Sequence, residues 1–117
     1  MPFDPATLRY NSDGLIPCIA QQQGSKEVLM MAWMNAQSIA RTLETGHVTY
    51  WSRSRQSFWA KGETSGNMQK LIELRYDCDQ DCLLAIVDQT GPACHTGRRS
   101  CFYNRITDEG SEEAPLP

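Results

Sequence analysis

The sequence predicts a compact, β-rich α+β domain, its strands forming an antiparallel sheet or pseudo-barrel beside one main helix. Three observations predict it. Short stretches rich in branched and aromatic residues recur along the chain, bounded by turn-forming residues. One stretch alone combines helical spacing with a start and a stop signal. The length, 117 residues, suits a single domain with a modest core.

Taken in order, "LIPCIAQQ" (15–22) and "KEVLMMAWM" (26–34) read as two strands around a turn at Gly24–Ser25. "NAQSIARTLETG" follows as the helix. Asn35 is a good N-cap, Ile39 and Leu43 keep helical spacing, and Gly46 stands where a C-terminal glycine stop belongs. "HVTYWS" alternates and carries β-branched and aromatic residues, and "SRSRQ" turns into "SFWAK" as a hairpin partner. "GETSGN" has loop composition. "MQKLIELRYD" and "CLLAIVDQ" are two further strands, with a cluster of aspartates between them. Everything after Gly91 reads as loop or short irregular structure. The expected organisation is one domain over 1–107 and an acidic, disordered tail over 108–117.

Composition narrows the function. No apolar run approaches the ~20 residues of a membrane span. The N-terminus "MPFDPATLRY" lacks the basic start and apolar centre of a signal peptide, so the expected location is cytoplasmic. Five cysteines in a reducing compartment point to metal binding or catalysis rather than to disulfides. The formal net charge is −3, but the tail holds Asp108, Glu109, Glu112 and Glu113 and no base. Without it the body has ten acids and eleven bases. Those bases bunch at Arg53, Arg55 and Lys61 and at Arg98 and Arg99. Local basic clusters on a near-neutral body suit a small anion such as a phosphate ester, not a nucleic acid.

Two groups of side chains carry chemistry. In "DCDQDC", Asp77, Asp79 and Asp81 alternate, so an extended chain would turn all three carboxylates to one face. Carboxylates held together repel unless a cation neutralises them, and hard oxygen ligands select magnesium, calcium or manganese. An EF-hand loop is excluded, because Cys82 and Asp88 stand where it needs glycine and glutamate. The bland alternative is a turn of solvated aspartates. The second group is Cys78, Cys82, Cys94 and Cys101 with His95. Thiolates select zinc, but Cys78-x3-Cys82 and Cys94-x6-Cys101 match no standard finger. Four cysteines would close a structural site, whereas three would leave a position open for water. His95 is a metal ligand, a base beside the metal or an ordinary loop histidine. His47, at a strand start, reads as structural.

"TYWSRSR", "KGETSGN", "DCDQD" and "QTGPACHTGRRSCFY" together resemble the phosphoribosyl-AMP cyclohydrolase family of histidine biosynthesis, from about Asp13 to Tyr103 and in family order. Two differences stand out: Cys82 replaces a small residue, and "MAWMN" and "TYWS" carry tryptophan where tyrosine is common. The resemblance implies an intertwined homodimer of β-rich chains with active sites at the interface. It implies zinc on Cys94, Cys101 and the partner subunit's Cys78, magnesium on Asp77, Asp79 and Asp81, and His95 as general base. It further implies a monofunctional enzyme in which zinc-activated water opens the adenine ring of N1-(5-phosphoribosyl)-AMP at the N1–C6 bond. Arg53, Arg55 and Lys61, with the loop of Gly62, Glu63, Thr64 and Ser65, are the expected ligands of the ribosyl phosphate, since arginines fork onto phosphate and glycine-rich loops present N–H groups.

Two rivals are weaker. A non-enzymatic zinc module needs four thiolates in one chain and has no use for "KGETSGN". A zinc deaminase needs H-x-E and P-C-x-x-C, and neither string is present.

Overall fold

The computed structural model describes residues 3–113. A short 3-10 turn, Pro5–Thr7, is capped by Asp4 and leads into the first hairpin. That hairpin is β1 (Ile16–Gln22) and β2 (Val28–Met34). Helix α1 (Ala36–Thr45) follows, then β3 (Thr49–Ser52), β4 (Ser57–Ala60), β5 (Gln69–Tyr76) and β6 (Leu83–Gln89). The described chain ends with β7 (Asn104–Thr107) and β8 (Gly110–Glu113).

Helix α1 begins and ends where its sequence says. Asn35 Oδ1 accepts the Ser38 N–H at 2.8 Å, and Ser38 Oγ accepts the Asn35 N–H at 2.8 Å. This capping box satisfies donors that the first turn leaves without partners. At the other end Gly46 turns left-handed (φ 76°), and its N–H bonds the Thr42 carbonyl.

The main sheet has the order β2-β1-β6-β5. The two hairpins β1–β2 and β5–β6 are antiparallel, as expected, but they join through a parallel pairing of β1 with β6, Cys18 against Leu83 to Gln22 against Val87. The sheet is therefore mixed, which corrects the all-antiparallel expectation. Alternation in sequence marks the buried face of a strand but not its direction. Ile16, Cys18 and Ala20 of β1 and Leu83, Ala85 and Val87 of β6 face one core whichever way β6 runs. Nor do the strands close into a pseudo-barrel among the described residues. β3 and β4 form a separate hairpin, tied to the sheet at Val48, whose N–H donates to the Gln69 carbonyl at 3.0 Å.

The core lies between the sheet, α1 and this hairpin and includes Ile16, Leu29, Met34, Ile39, Val48 and Tyr50. One polar pair runs through it. The Tyr50 hydroxyl donates to Gln69 Oε1 at 2.7 Å, both side chains being fully buried. No helix among the described residues is long and apolar enough to cross a membrane.

The chain after Gly91 is more regular than expected. β7 and β8 form a hairpin through Asp108–Glu109. Arg105 pairs with Glu112 across it, and Arg98 pairs with Glu113. Within the acidic tail, Gly110–Glu113 form β8, and Glu112 and Glu113 meet Arg105 and Arg98. Residues 114–117 of that tail lie outside the described residues.

Candidate metal and substrate site

The aspartates occupy the connection from β5 to β6. It is a turn, not the extended run that their alternation suggested. The Asp77 N–H donates to the Cys82 carbonyl and the Gln80 N–H to the Asp77 carbonyl, both at 3.0 Å, with Gln80 left-handed at φ 65°. Asp77 Oδ1 accepts the N–H groups of Asp81 (3.0 Å) and Cys82 (3.3 Å). The carboxylates converge nonetheless. One oxygen from each of Asp77, Asp79 and Asp81 lies within 4.8 Å of the others, and all three residues are exposed.

Their charges are coupled. A hydrogen bond with Asp77, then partial desolvation and the charges of Asp77 and Asp79, hold the Asp81 carboxyl above its ordinary range. Desolvation also pushes Asp77 upward, but the N–H of Asp81, the Asp81 side chain and the N–H groups of Cys82 and Gln80 outweigh it and leave Asp77 lowered. Crowded carboxylates of this kind are relieved by a hard divalent cation, so the donor set fits magnesium.

The loop from Gly91 to Cys101 folds back on itself. The N–H groups of Ala93 and Cys94 donate to the carbonyls of Arg99 and Arg98, each at 3.0 Å. The loop is fastened to β2, where the Cys101 N–H reaches the Leu29 carbonyl at 2.7 Å and Ser100 Oγ the Val28 carbonyl at 2.7 Å. Cys94 and Cys101 consequently come close enough for each thiol to act on the other. The Thr96 hydroxyl donates to Cys94 Sγ at 3.0 Å; this contact and the Thr96 N–H lower the Cys94 thiol below its ordinary value. Desolvation, then the hydrogen bond and charge of Cys94, push Cys101 up to about 11. Two thiols on one loop, one of them lowered, fit a soft metal such as zinc. Thr96 was missed in the sequence. Its signal is a hydroxyl two residues after a cysteine, a spacing at which hydroxyls bond back locally.

The other expected residues are dispersed. Cys78 is exposed on the aspartate turn. Among the described residues the three aspartates are the only group of three or more His, Cys, Asp or Glu that converges in this way, so Cys78 does not join Cys94 and Cys101 within one chain. His95 is exposed beside Cys94. Cys82 turns its thiol to the Leu83 carbonyl at 3.8 Å.

Arg53 and Arg55 lie on the exposed turn between β3 and β4. The Arg53 guanidinium stacks 5.0 Å above the Trp33 ring, and Arg53 lines a polar cavity of about 460 Å³ with Asp13, Asn35, Trp51 and Gln56. Lys61 points elsewhere, its Nζ donating to the Ala93 carbonyl at 2.5 Å. Gly62 is left-handed (φ 84°) where the chain crosses closely over Asn67, and Glu63, Thr64 and Ser65 follow it exposed. Glu63 borders a different cavity, with Arg41, His47 and Phe58.

The sequence pattern of the phosphoribosyl-AMP cyclohydrolase family matches residues 30–103, which takes in both the aspartate turn and the thiol loop. The chain belongs to this family. Phosphoribosyl-AMP cyclohydrolases similar to it include that of Jannaschia sp., 70% identical over 98% of this chain and 97% of that protein. That of Ruegeria pomeroyi is 69% identical over 100% and 98%, and that of Cereibacter sphaeroides 67% identical over 99% and 97%. The cyclohydrolase family is one of hydrolases, as the sequence resemblance implied. In this chain the two motif groups lie in separate loops at opposite ends of β6.

Proposed function

We propose that this chain hydrolyses the adenine ring of N1-(5-phosphoribosyl)-AMP at the N1–C6 bond, a step of histidine biosynthesis. The observation that carries the reading is the pairing of Cys94 and Cys101 on one loop, with the Thr96 hydroxyl on Cys94 Sγ, in a chain of this family. Cys78, Cys94 and Cys101 would hold zinc, and Asp77, Asp79 and Asp81 would hold magnesium. Zinc supplies Lewis acidity that makes water nucleophilic near neutral pH. Magnesium supplies positive charge toward the substrate phosphates.

The chain's own residues do the rest. The substrate's alkylated N1 makes its ring cationic and C6 electrophilic. Water adds at C6 while His95, beside Cys94, takes its proton. The tetrahedral carbon collapses, the C6–N1 bond breaks and N1 receives a proton. Arg53 and Arg55 bind ribosyl phosphate, with the Arg53 guanidinium resting over the Trp33 ring beside the cavity that Arg53 lines. The Gly62–Ser65 loop offers N–H groups to the same ligand.

A homodimer completes the site, with Cys78 supplied across the interface. Support comes from Cys78 not converging with Cys94 and Cys101 among the described residues of one chain. The turning of Cys82 toward Leu83 favours a three-thiolate site over a closed one of four. Thiolate ligands need a reducing compartment, so the cytoplasm is the proposed setting.

The test is metal analysis of purified protein together with the absorbance change on adding the N1-ribosylated substrate. About one zinc per chain and turnover are expected. Asp79→Asn should weaken magnesium dependence and keep the zinc, because carboxylates and thiolates prefer different ions. Cys82→Ala should keep both zinc and turnover. Zinc-free or inactive wild-type protein would overturn the reading.

A further inference from the structure

Lys61 stands in "KGETSGN", where a phosphate ligand was expected, yet its side chain runs into the other motif. Its Nζ donates to the carbonyl of Ala93, the residue before Cys94, at 2.5 Å. The ammonium also lies 5.8 Å from the centroid of the Trp59 ring. The backbone sets this direction. The Lys61 N–H is held by the Val48 carbonyl at 2.9 Å, and the next residue, Gly62, crosses Asn67 too closely for any side chain. Ala93 is itself buried and held by the Arg99 carbonyl. Both ends of the contact are therefore fixed.

A half-buried ammonium needs an anion. Among the described residues no carboxylate lies within 4.0 Å of Lys61. The contact that the structure gives the ammonium is the Ala93 carbonyl, one residue before Cys94, so its charge sits against the loop that carries Cys94 and Cys101.

We propose that Lys61 is a positioning residue for the thiol pair, pinning the chain at Ala93 and balancing the charge of Cys94 and Cys101, and that it does not bind substrate phosphate. This rests on the zinc reading above. Three thiolates leave a zinc site with net negative charge. An adjacent ammonium offsets that charge and draws electron density from the sulfurs, which strengthens the metal as an acid.

The test compares Lys61→Met, which keeps the aliphatic stem against Trp59, with Lys61→Arg, which keeps the charge. Zinc affinity is read by competition with a chromophoric chelator, the thiolate-to-metal absorption by substituting cobalt, and KM and kcat separately. Lys61→Met should bind zinc about tenfold more weakly, shift the cobalt band and lower kcat, with KM within about twofold of wild type. Lys61→Arg should hold zinc within about threefold of wild type. Unchanged zinc affinity with a KM raised about tenfold would make Lys61 a phosphate ligand and overturn the proposal. If Lys61→Met does not fold, Lys61→Arg decides: folded protein that loses zinc tenfold, or keeps zinc but raises KM tenfold, overturns it too. Wild-type protein that takes up no zinc overturns the zinc reading itself, an outcome distinct from wild type and Lys61→Met binding zinc alike.

Discussion

Arg99 fastens the loop that carries it: its Nη1 donates to the carbonyl of Gly91, eight residues back, at 2.9 Å. The same nitrogen reaches the Gln89 carbonyl at 3.2 Å, Nη2 reaches Gln22 Oε1 at 3.0 Å, and Nε pairs with Glu27 at 3.4 Å. One guanidinium thus ties the thiol loop to the ends of β1 and β6 and to the β1–β2 turn. In sequence, Arg99 reads as one of a local basic cluster suited to a small anion. Arg99→Ala should cost about 2–3 kcal/mol of unfolding free energy, measured by urea titration. Because Cys94 lies on this loop, zinc affinity should fall as well. Arg99→Lys should recover less than half of either loss, since an ammonium cannot span the forked acceptors.

The two glycines of "KGETSGN" should differ sharply. Both are left-handed, Gly62 at 84° and Gly66 at 82°. A Cβ on Gly62 would fall 2.4 Å from the Asn67 carbonyl carbon and 2.5 Å from the Met68 nitrogen, whereas one on Gly66 meets nothing within 4 Å. Gly66→Ala should cost about 1 kcal/mol, the backbone strain alone. Gly62→Ala adds a clash with main chain that cannot rotate away. It should cost more than about 3 kcal/mol and displace Lys61. Thermal melting of both variants, with zinc content for the second, checks this.

These residues show where the sequence was legible. Local rules were enough for α1, because Asn35, Ser38 and Gly46 act within one turn. They were enough for the buried faces of β1 and β6, because alternation is a local property. Strand direction was not legible, since Cys18 packs beside Leu83 in either sense. Nor was the turn at Gln80: D-x-D-x-D reads as extended, and the reversal comes from hydrogen bonds that Asp77 makes five residues ahead. Hairpin β7–β8 escaped notice because "GSEE" has no strand formers and is held by arginines beyond it. The chemistry-bearing residues themselves were legible as types. Their grouping was not, because Lys61 meets Ala93 across 32 residues of sequence.

Alkaline pH should unfold the protein early, through groups in the core. Burial pushes the Cys18 thiol from 9.0 to about 12, with a smaller push from Cys82. Burial raises the Tyr50 phenol well above 10.0, with smaller contributions from Cys18 and Cys101. In both, the folded state holds its proton more tightly than the unfolded chain. Their stabilising effect is therefore complete below the unfolded pKa and declines as pH rises past it. Between pH 9 and 12, Cys18 should remove about 1.4 kcal/mol per pH unit, and Tyr50 should add a similar slope above 10. Cys18→Ala opens a small cavity and lowers stability at neutral pH, but it should flatten the decline between pH 9 and 10. Urea midpoints from pH 8 to 10.5 test the sign. Equal slopes for wild type and Cys18→Ala would remove the thiol as the cause.

Subunit mixing tests the shared site most directly. Cys78 lies on the turn between β5 and β6, apart from the loop on which Cys94 and Cys101 meet. If the partner supplies Cys78, Cys78→Ala and Cys94→Ala chains are each inactive alone. Combined under conditions that allow exchange, they form mixed dimers with two unlike sites. One site joins the intact Cys94 and Cys101 of the first chain to the intact Cys78 of the second. The other lacks both residues. Equal amounts mixed at random make about half the dimers mixed, each with one complete site, so roughly a quarter of wild-type activity should return. Zinc should return in step with it, and stripping zinc should loosen the dimer, because the metal binds only the assembled form. No recovery after exchange has been demonstrated would place all three thiols in one chain. The turn carrying Cys78 would then have to move to reach Cys94.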